Sequence, residues 1–383
     1  MTDFSGLFTP FQLGKFTLPN RFVFPPMGLE VCENGIPGDD AAEYYARRAQ
    51  GGASLVITEG AYIDHPSSGD NPLLGRIKGE DSWEAWRNVA TKVHREGGIC
   101  FPELWHVGLI PSGPDLLAGK GIVYRPELGQ VSPSGYIAPG MKVCDGMTQA
   151  QIDEVIRAYA ISTAKSVELG FDGIELHGAH GYVIDQFLWK ELNHRTDKYG
   201  GSPRARGQFA AEVVRACREQ LEPGMPLILR TSFWKMADFD ARLADTPQEL
   251  EELFAPMVEA GVDLFDCSQR RFWEPTFDDG SDLNLAGWIK KVTGVPTCTI
   301  GSIGLELDFL ASLSSAEAVA ELDIGRLDDL MRRFDRGDFD LVAVGRAMIA
   351  EPDWPKLVQA GRFGELKPFS ATLMADPLMA HAK

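Results

Sequence analysis

Eight short, almost continuously apolar runs recur along the chain, and a segment with helical periodicity follows each of them. The runs cover residues 22–24, 54–59, 99–104, 173–177, 226–230, 262–267, 296–300 and 340–344. Strands that are apolar on both faces are typical of a parallel sheet that is covered by helices. Eight such strands in alternation with helices predict an α/β fold with a single closed (β/α)8 barrel of the TIM type.

A doubly wound sheet is the alternative fold, but no run is followed by the G-x-G-x-x-G fingerprint of a dinucleotide site. We see no linker or low-complexity tract, so we expect a single domain over residues 1–383. Residues 106–147, after the third strand, are rich in glycine, proline and serine. A loop of this length in a compact domain usually has a function. We therefore expect it to lie over the active site.

Charge and hydropathy narrow the set of partners. The formal net charge is −18 and no basic stripe offsets it, which argues against nucleic acid and against an anionic membrane surface. No apolar run is long enough to cross a bilayer, and the first residues lack the features of a signal peptide. We therefore predict a cytoplasmic protein. The cysteines are far apart, which argues against a clustered zinc or iron–sulfur site.

In a TIM barrel the chemistry lies at the carboxyl ends of the strands. The residues at or just after these ends include Pro26, Met27, Gly28, Gly60, Glu103, Trp105, His177, His180, Tyr182, Arg230, Gly301, Ser302, Gly345 and Arg346. Glycines after strands seven and eight are where such barrels commonly bind phosphate through backbone N–H groups, and Arg346 adds a charged donor. The ends therefore predict a phosphorylated cofactor or substrate.

His177, His180 and Tyr182 leave the fourth strand end together. A pair of metal ligands or two core histidines would explain the imidazoles, although no cysteine or carboxylate nearby completes a zinc site. Two imidazole donors and a phenol also suit a site that grips a carbonyl oxygen and delivers a proton beside it. The spacing alone leaves both interpretations open.

A set of short motifs runs in order along the chain. It consists of LFTP at 7–10 with NR at 20–21, ELWH at 103–106, HGAHGY at 177–182, DQFL at 185–188, Asn193, RTD at 195–197, YGGS at 199–202 and VGR at 344–346. With these motifs the chain resembles, from end to end, the old yellow enzyme family of FMN-dependent ene-reductases.

The resemblance implies non-covalent FMN. Its phosphate would lie near Gly301, Ser302, Gly345 and Arg346, and its ring against Pro26, Met27, Gly60, Glu103 and His177. Arg230 would lie near N1 and O2, where reduced flavin carries negative charge.

The resemblance also implies two half-reactions that share one site. NAD(P)H would reduce FMN, and a small α,β-unsaturated carbonyl compound would then accept the hydride. His177 and His180 would hold the carbonyl oxygen while Tyr182 gives a proton to the α-carbon. Trp105 and Trp273 are predicted as walls of the substrate pocket. The sequence leaves a homo-oligomer open.

Two positions depart from the family pattern. Glu103 stands where the family usually has Gln, and Gly28 stands where it usually has Thr or Cys. An ionised Glu103 would oppose the negative charge of reduced flavin, so we predict a lowered reduction potential. Amine oxidation, by relatives that can carry Glu here, is an alternative function. A non-redox phosphate-binding barrel is a third. It would require a Schiff-base lysine or an acid/base carboxylate at a strand end, and no lysine stands at the predicted ends.

Overall fold

The computed structural model of the protein describes residues 2–110, 124–312 and 318–375. Eight parallel strands pair in sequence order, and the last pairs with the first to close the barrel. They are β1 (Phe22–Phe24), β2 (Leu55–Tyr62), β3 (Ile99–Trp105), β4 (Ile174–His180), β5 (Leu227–Lys235), β6 (Leu264–Ser268), β7 (Thr297–Ile300) and β8 (Leu341–Ala343). The predicted (β/α)8 barrel is therefore confirmed.

Longer helices follow the strands around the barrel. They are α1 (Asp39–Gln50), α2 (Glu80–Arg95), α3 (Gln149–Glu168), α4 (Gln208–Arg218), α5 (Pro247–Ala260), α6 (Leu285–Thr293), α7 (Ile324–Arg336) and α8 (Trp354–Gln359). Side-chain caps explain several of the starts. Thr148 accepts from the backbone N–H of Gln151, whose own side chain bonds back to Thr148 in a capping box. Thr246 and Asn284 cap α5 and α6 in the simpler way.

The sequence pattern predicts one continuous helix over residues 204–221 and another over 315–336, and the structure differs in both ranges. A break at Gly207 divides the first helix into Pro203–Arg206 and α4. A Cβ at Gly207 would lie 2.3 Å from the carbonyl oxygen of Leu253, so the close approach of α5 requires glycine there. Around the second range, residues 313–317 lie outside the described part, Val319–Ala320 is a strand paired with Phe369–Ser370, and α7 begins only after its cap, Asp323.

The inside of the barrel is filled at its amino-terminal end. Apolar residues from most strands form an inner cluster that includes Val23, Phe101 and Leu264. A hairpin of the strands Phe11–Leu13 and Phe16–Leu18 adds Leu13 and Leu18 to this cluster. Burial of each such side chain contributes about 1.5–3 kcal/mol. A ligand can therefore enter the barrel only at the carboxyl ends of the strands.

The long loop after β3 lies partly outside the described residues, which omit 111–123. Its first residues, Val107 and Ile110, pack in the cluster that contains Trp105 and Tyr182. Its later part forms the hairpin Tyr136–Ala138 and Met141–Lys142. That the loop covers the active site stays a prediction. Within the residues described, no helix combines the length and the apolar character that a bilayer span requires.

Candidate active site

A cavity of about 770 Å³ opens at the carboxyl ends of the strands. Its wall contains every residue predicted to bind the cofactor, namely Pro26, Met27, Gly60, Glu103, His177, Arg230, Gly301, Ser302, Gly345 and Arg346, together with Trp105, His180 and Tyr182. Cavities of this size hold cofactor-sized ligands in other proteins. The fold thus brings these side chains to one place, and their individual roles stay predictions.

Trp273 is not among the residues that line the cavity, and its role as a pocket wall stays a prediction. Its ring packs against α7, where the guanidinium carbon of Arg326 lies 3.6 Å from the ring centroid. Its carbonyl oxygen accepts a hydrogen bond of 3.0 Å from Arg333 Nη2. The cation–π contact thus covers one face of the indole. Trp273 therefore belongs to the outer layer of the barrel.

Trp234 is the wall residue that the sequence reasoning missed. It lines the cavity, and its ring stacks on His180 with centroids 4.2 Å apart and an angle of 28° between the planes. β5 was expected to end at 230, but it continues to Lys235. Phe233 and Trp234 side by side in this extension were the available signal, because aromatic residues favour strands.

The backbone turns sharply at the end of β4, where the predicted catalytic side chains lie. The pairing of β4 with β5 shifts register between Gly178 and His180. His180 and Gly181 then adopt φ of 62° and 90°, a left-handed conformation that costs free energy for a residue other than glycine. A hydrogen bond of 2.9 Å from the His180 N–H to Ser232 Oγ holds the turn. This turn directs His177, His180 and Tyr182 toward the same cavity.

The environment keeps both imidazoles neutral. Burial, with a smaller contribution from the nearby Arg230 charge, lowers the pKa of His177 and of His180 well below the usual range. Nδ1 of His177 accepts a hydrogen bond of 3.3 Å from the Ala179 N–H, which assigns the ring proton to Nε2. His180 Nε2 lies 2.8 Å from Ser268 Oγ. Both rings can therefore act as hydrogen-bond donors near neutral pH.

Tyr182 contacts two rings edge-on. Its ring centroid is 4.8 Å from that of His177 and 4.8 Å from that of Trp105, at angles of 88° and 79°. Burial raises the pKa of the phenol above its ordinary value. The phenol thus keeps its proton at physiological pH, as a proton donor must.

Arg230 and Glu103 form the charged part of the wall. Arg230 Nη1 donates to the carbonyl oxygen of Pro26 at 3.1 Å and lies 3.5 Å from Glu103 Oε1. Within the described ranges, Arg230 Nε and Glu103 Oε1 are buried without a hydrogen-bond partner. Buried polar atoms of a native protein are seldom left unpaired. Arg230 Nε is held by an ion pair with Asp266 Oδ2 at 3.3 Å, so Glu103 Oε1 is the free acceptor and Arg230 the charged donor beside it. This combination suits the pyrimidine edge of FMN, which carries both N–H and carbonyl groups.

Gly28 also lines the cavity. A Cβ built on it would meet only Leu74 Cδ2, at 3.7 Å. The absence of the family's usual Thr or Cys is therefore not imposed by packing. It leaves room in the cavity and removes a hydrogen-bonding side chain.

Steric contacts explain why glycines follow β7 and β8. Gly301 has φ of 138°, and a Cβ on it would lie 2.6 Å from the carbonyl oxygen of Gln269. A Cβ on Gly345 would lie 3.1 Å from Met27 Sδ. Backbone N–H groups at such bare positions can approach a phosphate closely.

Arg346, which follows β8, forms hydrogen bonds with the loop that follows β7. Its Nη atoms donate to Ser302 Oγ at 2.9 Å and to Ser312 Oγ at 2.5 Å, and to the carbonyl oxygens of Leu307 and Asp308 at 3.0 Å each. Burial lowers the pKa of the guanidinium to about 10, so it stays charged at neutral pH. Arg346 therefore both orders the loop after β7 and places a positive charge at this end of the cavity.

β5 ends on a buried lysine, Lys235, so the expectation that no strand end carries a lysine is wrong. Lys235 Nζ lies 2.7 Å from Asp185 and donates to the carbonyl oxygen of Ser232 at 2.8 Å. These acceptors occupy the ammonium group, and Lys235 is not among the residues that line the cavity. The lysine thus has a structural environment rather than that of a Schiff-base nucleophile.

Comparison with known proteins identifies the class of this site. Residues 6–365 match the family model described as the NADH:flavin oxidoreductase / NADH oxidase family. The chain belongs to this family. FMN is thus the cofactor that its site is expected to bind, and its resemblance to the old yellow enzyme family is confirmed.

Individual relatives agree with this membership. The chain is 31% identical to an NADH oxidase of Thermoanaerobacter brockii over 96% of its own length, but it spans only 52% of that protein. It is 29% identical to 12-oxophytodienoate reductase 2 of Arabidopsis thaliana, with 92% of this chain and 88% of the relative covered. The solved old yellow enzyme homologue from Zymomonas mobilis has the same fold, with a TM-score of 0.75, 23% identity and 96% of each chain covered.

The phosphate end of the site gives a first prediction. We expect Arg346→Met to weaken FMN binding by about 1.5–3 kcal/mol, roughly 10- to 150-fold, because a charged hydrogen bond is lost. Riboflavin, which lacks the phosphate, should bind the variant and the wild type equally. Fluorescence titration of the FMN-free protein with each flavin measures both affinities, and Arg362→Met is an exposed control. An equal loss for both flavins would mean that Arg346 only orders the loop.

Glu103 gives a second prediction. At an effective dielectric constant of about 20, a like charge about 5 Å away costs roughly 3 kcal/mol, or about 60 mV for a two-electron couple. Arg230 beside Glu103 offsets part of this cost, so the figure is an upper bound. We expect Glu103→Gln to raise the reduction potential of the bound FMN at pH 8.5. Equilibrium titration with a reference dye measures it, and equal potentials would contradict the prediction.

Proposed function

We propose that this family member is an ene-reductase, which uses NAD(P)H to reduce the activated C=C bond of α,β-unsaturated carbonyl compounds in two half-reactions at one site. The proposal is based on one observation. The neutral imidazoles of His177 and His180 and the protonated phenol of Tyr182 line the same cavity as Arg230 and the glycines that follow β7 and β8. Hydrogen-bond donors beside a proton donor suit a carbonyl oxygen and the adjacent α-carbon.

When bound, FMN supplies the capacity to accept a hydride from NAD(P)H and to pass it to an alkene carbon. The chain's residues supply the rest. His177 Nε2–H donates to the carbonyl oxygen of the substrate, and His180 donates to the same oxygen in place of its contact with Ser268. These bonds polarise the alkene and stabilise the negative charge that develops on the oxygen. Tyr182 O–H then protonates the α-carbon, and solvent restores its proton.

The cavity walls indicate a planar, conjugated substrate. Trp105 and Trp234 lie on either side of the histidines, and Leu74 and Met236 add apolar surface. Flat aromatic walls favour a flat apolar ligand over a branched or highly charged one. The name of the 12-oxophytodienoate reductase relative, with its oxo and diene parts, supports this substrate class.

Glu103 favours amine oxidation as a second candidate function. Its carboxylate lies 3.8 Å from His177 Nε2 at the cavity wall, and a negative charge there suits a cationic amine better than an enone. In this reaction the substrate would reduce the cofactor rather than reoxidise it. The two candidates therefore differ in the direction of electron flow.

One experiment separates these candidates from each other and from a non-redox barrel. The purified protein should be yellow and should release FMN on heating. Under anaerobic conditions NADPH should bleach it, 2-cyclohexenone should restore the colour, and dimethylamine should leave the oxidised protein unchanged. Bleaching by the amine would favour the second candidate, and a colourless protein that binds no FMN would contradict both.

A further inference from the structure

Three carboxyl groups surround one guanidinium in the wall of the barrel. Glu103, Glu175 and Asp266 are at most 2% exposed, and Arg230 is 6% exposed. The strand register brings them together, because Glu103 pairs with Glu175 across β3 and β4, and Arg230 pairs with Asp266 across β5 and β6. Arg230 Nε lies 3.3 Å from Asp266 Oδ2, and its Nη1 lies 3.5 Å from Glu103 Oε1. We refer to Glu103, Glu175 and Asp266 as the carboxyl cluster.

One positive charge cannot neutralise three buried negative charges. An unpaired buried ion costs several kcal/mol, so the carboxyl cluster lowers its free energy by retaining protons. Both oxygens of Glu175 are buried without a hydrogen-bond partner in the described part of the chain. Burial and the neighbouring Asp266 and Glu103 raise the pKa of Glu175 well above its usual range. Glu175 therefore stays protonated.

Glu103 is the member of the cluster that can change between its ionised and its protonated form near neutral pH. Burial raises the pKa of its carboxyl group to about 7, although the adjacent Arg230 opposes the rise. It is also the member that lines the cavity, whereas Glu175 and Asp266 lie behind it. A new negative charge in the cavity would raise the proton affinity of Glu103 further.

The other groups that face Glu103 do not exchange a proton in this pH range. His177 on β4 is neutral, and Tyr182 after β4 and Tyr159 on α3 are phenols whose pKa values burial raises above their ordinary value. Glu59 on β2 is not among the residues that line the cavity, and its carboxylate accepts hydrogen bonds from the Leu29 N–H and from Cys32 Sγ.

We propose that the carboxyl cluster is a proton-binding site linked to the cofactor, in which Glu103 takes up one proton from solvent when bound FMN is reduced. The proposal rests on the proposed function, since it takes the flavin ring to lie in this cavity. A hydride from NAD(P)H adds two electrons and one negative charge to the cofactor, and NAD(P)+ leaves. The Glu103 carboxylate gains H+ and becomes neutral, so the summed charge of the cofactor and the wall does not change. Reoxidation by the enone removes the hydride, and Glu103 releases its proton.

The pH dependence of the reduction potential tests the proposal without any substrate. When two electrons are taken up with one proton, the reduction potential falls with pH at a fixed slope. When they are taken up with two protons, the slope of potential against pH is twice as steep. Between about pH 7.5 and 9, wild-type holoenzyme should show the two-proton slope and Glu103→Gln the one-proton slope. Below about pH 6 Glu103 is already protonated in oxidised protein, so the two slopes should coincide.

Glu59→Gln is the matched control. Burial raises the pKa of Glu59 to about 7 as well, but Glu59 does not line the cavity, so this variant should keep the two-proton slope. A one-proton slope for wild type above pH 7.5 would overturn the proposal whether or not the variants fold. Failure to bind FMN would instead overturn the proposed function. Bound FMN that enone reoxidises, with equal slopes for wild type and Glu103→Gln, would overturn the proton site alone.

Discussion

Replacement of Tyr182 by Phe should slow the reoxidation of reduced enzyme by 2-cyclohexenone by about 10²–10⁴-fold, the usual contribution of a general acid. The rate of FMN reduction by NADPH should stay unchanged, because hydride transfer from the nicotinamide needs no proton from the protein. The substitution keeps the ring and its edge contacts with His177 and Trp105, which lie 4.8 Å away. Anaerobic stopped-flow absorbance measures the two half-reactions separately.

Tyr62→Phe is the matched control for this variant. Tyr62 stacks on Trp105 with ring centroids 5.0 Å apart, but it does not line the cavity. Its loss of a hydroxyl should leave both half-reactions near the wild-type rates. If Tyr182→Phe slowed the two half-reactions equally, Tyr182 would be a packing residue and another group would supply the proton.

The second large effect concerns the buried ion pair of Lys235 and Asp185, which lies next to the turn at the end of β4. Lys235 and Asp185 are 1% and 0% exposed in their side chains, and Asp185 Oδ2 also accepts a hydrogen bond of 2.6 Å from the Gly181 N–H. Lys235→Met leaves the Asp185 charge buried without a positive counter-charge. Loss of one partner of such a pair typically costs about 3–5 kcal/mol. We expect the free energy of unfolding to fall by this amount in urea titrations at pH 7.

Lys190→Met is the control for the ion pair. Lys190 and Asp245 form a surface pair whose side chains are 43% and 55% exposed, and such pairs contribute about 0–1 kcal/mol. The double variant Asp185→Asn with Lys235→Met should recover much of the lost stability, because no lone charge remains. Equal costs for Lys235→Met and Lys190→Met would contradict a structural role for the buried pair.

The sequence predicted the barrel well because its strands are buried on both faces. Runs such as 54–59 and 340–344 are apolar enough to stand out, and the order of strand ends then places Glu103, His177 and Arg230 at one rim. These positions did not require side-chain contacts. The topology alone brought them together.

The features that the sequence did not predict are those in which the buried side chains are polar or charged. β5 continues through Thr231, Ser232 and Trp234 to Lys235, a polar and aromatic stretch that does not read as a buried strand. Its side chains are satisfied by partners far away in sequence, such as Asp185 for Lys235, which periodicity cannot reveal. Glu175 was hidden for the same reason, since a carboxyl group inside a strand is explained only by its neighbours on adjacent strands.

Isotope labelling of the product distinguishes the hydrogen that comes from NADPH from the hydrogen that comes from a solvent-exchangeable donor. 2-Cyclohexenone should be reduced by the enzyme with NADPH in D2O, and the position of deuterium in the cyclohexanone determined by mass spectrometry and NMR. We expect deuterium at the α-carbon, delivered through Tyr182, and hydrogen from NADPH at the β-carbon. Deuterium at the β-carbon instead, or no reduced product from a yellow, NADPH-reducible enzyme, would contradict this expectation.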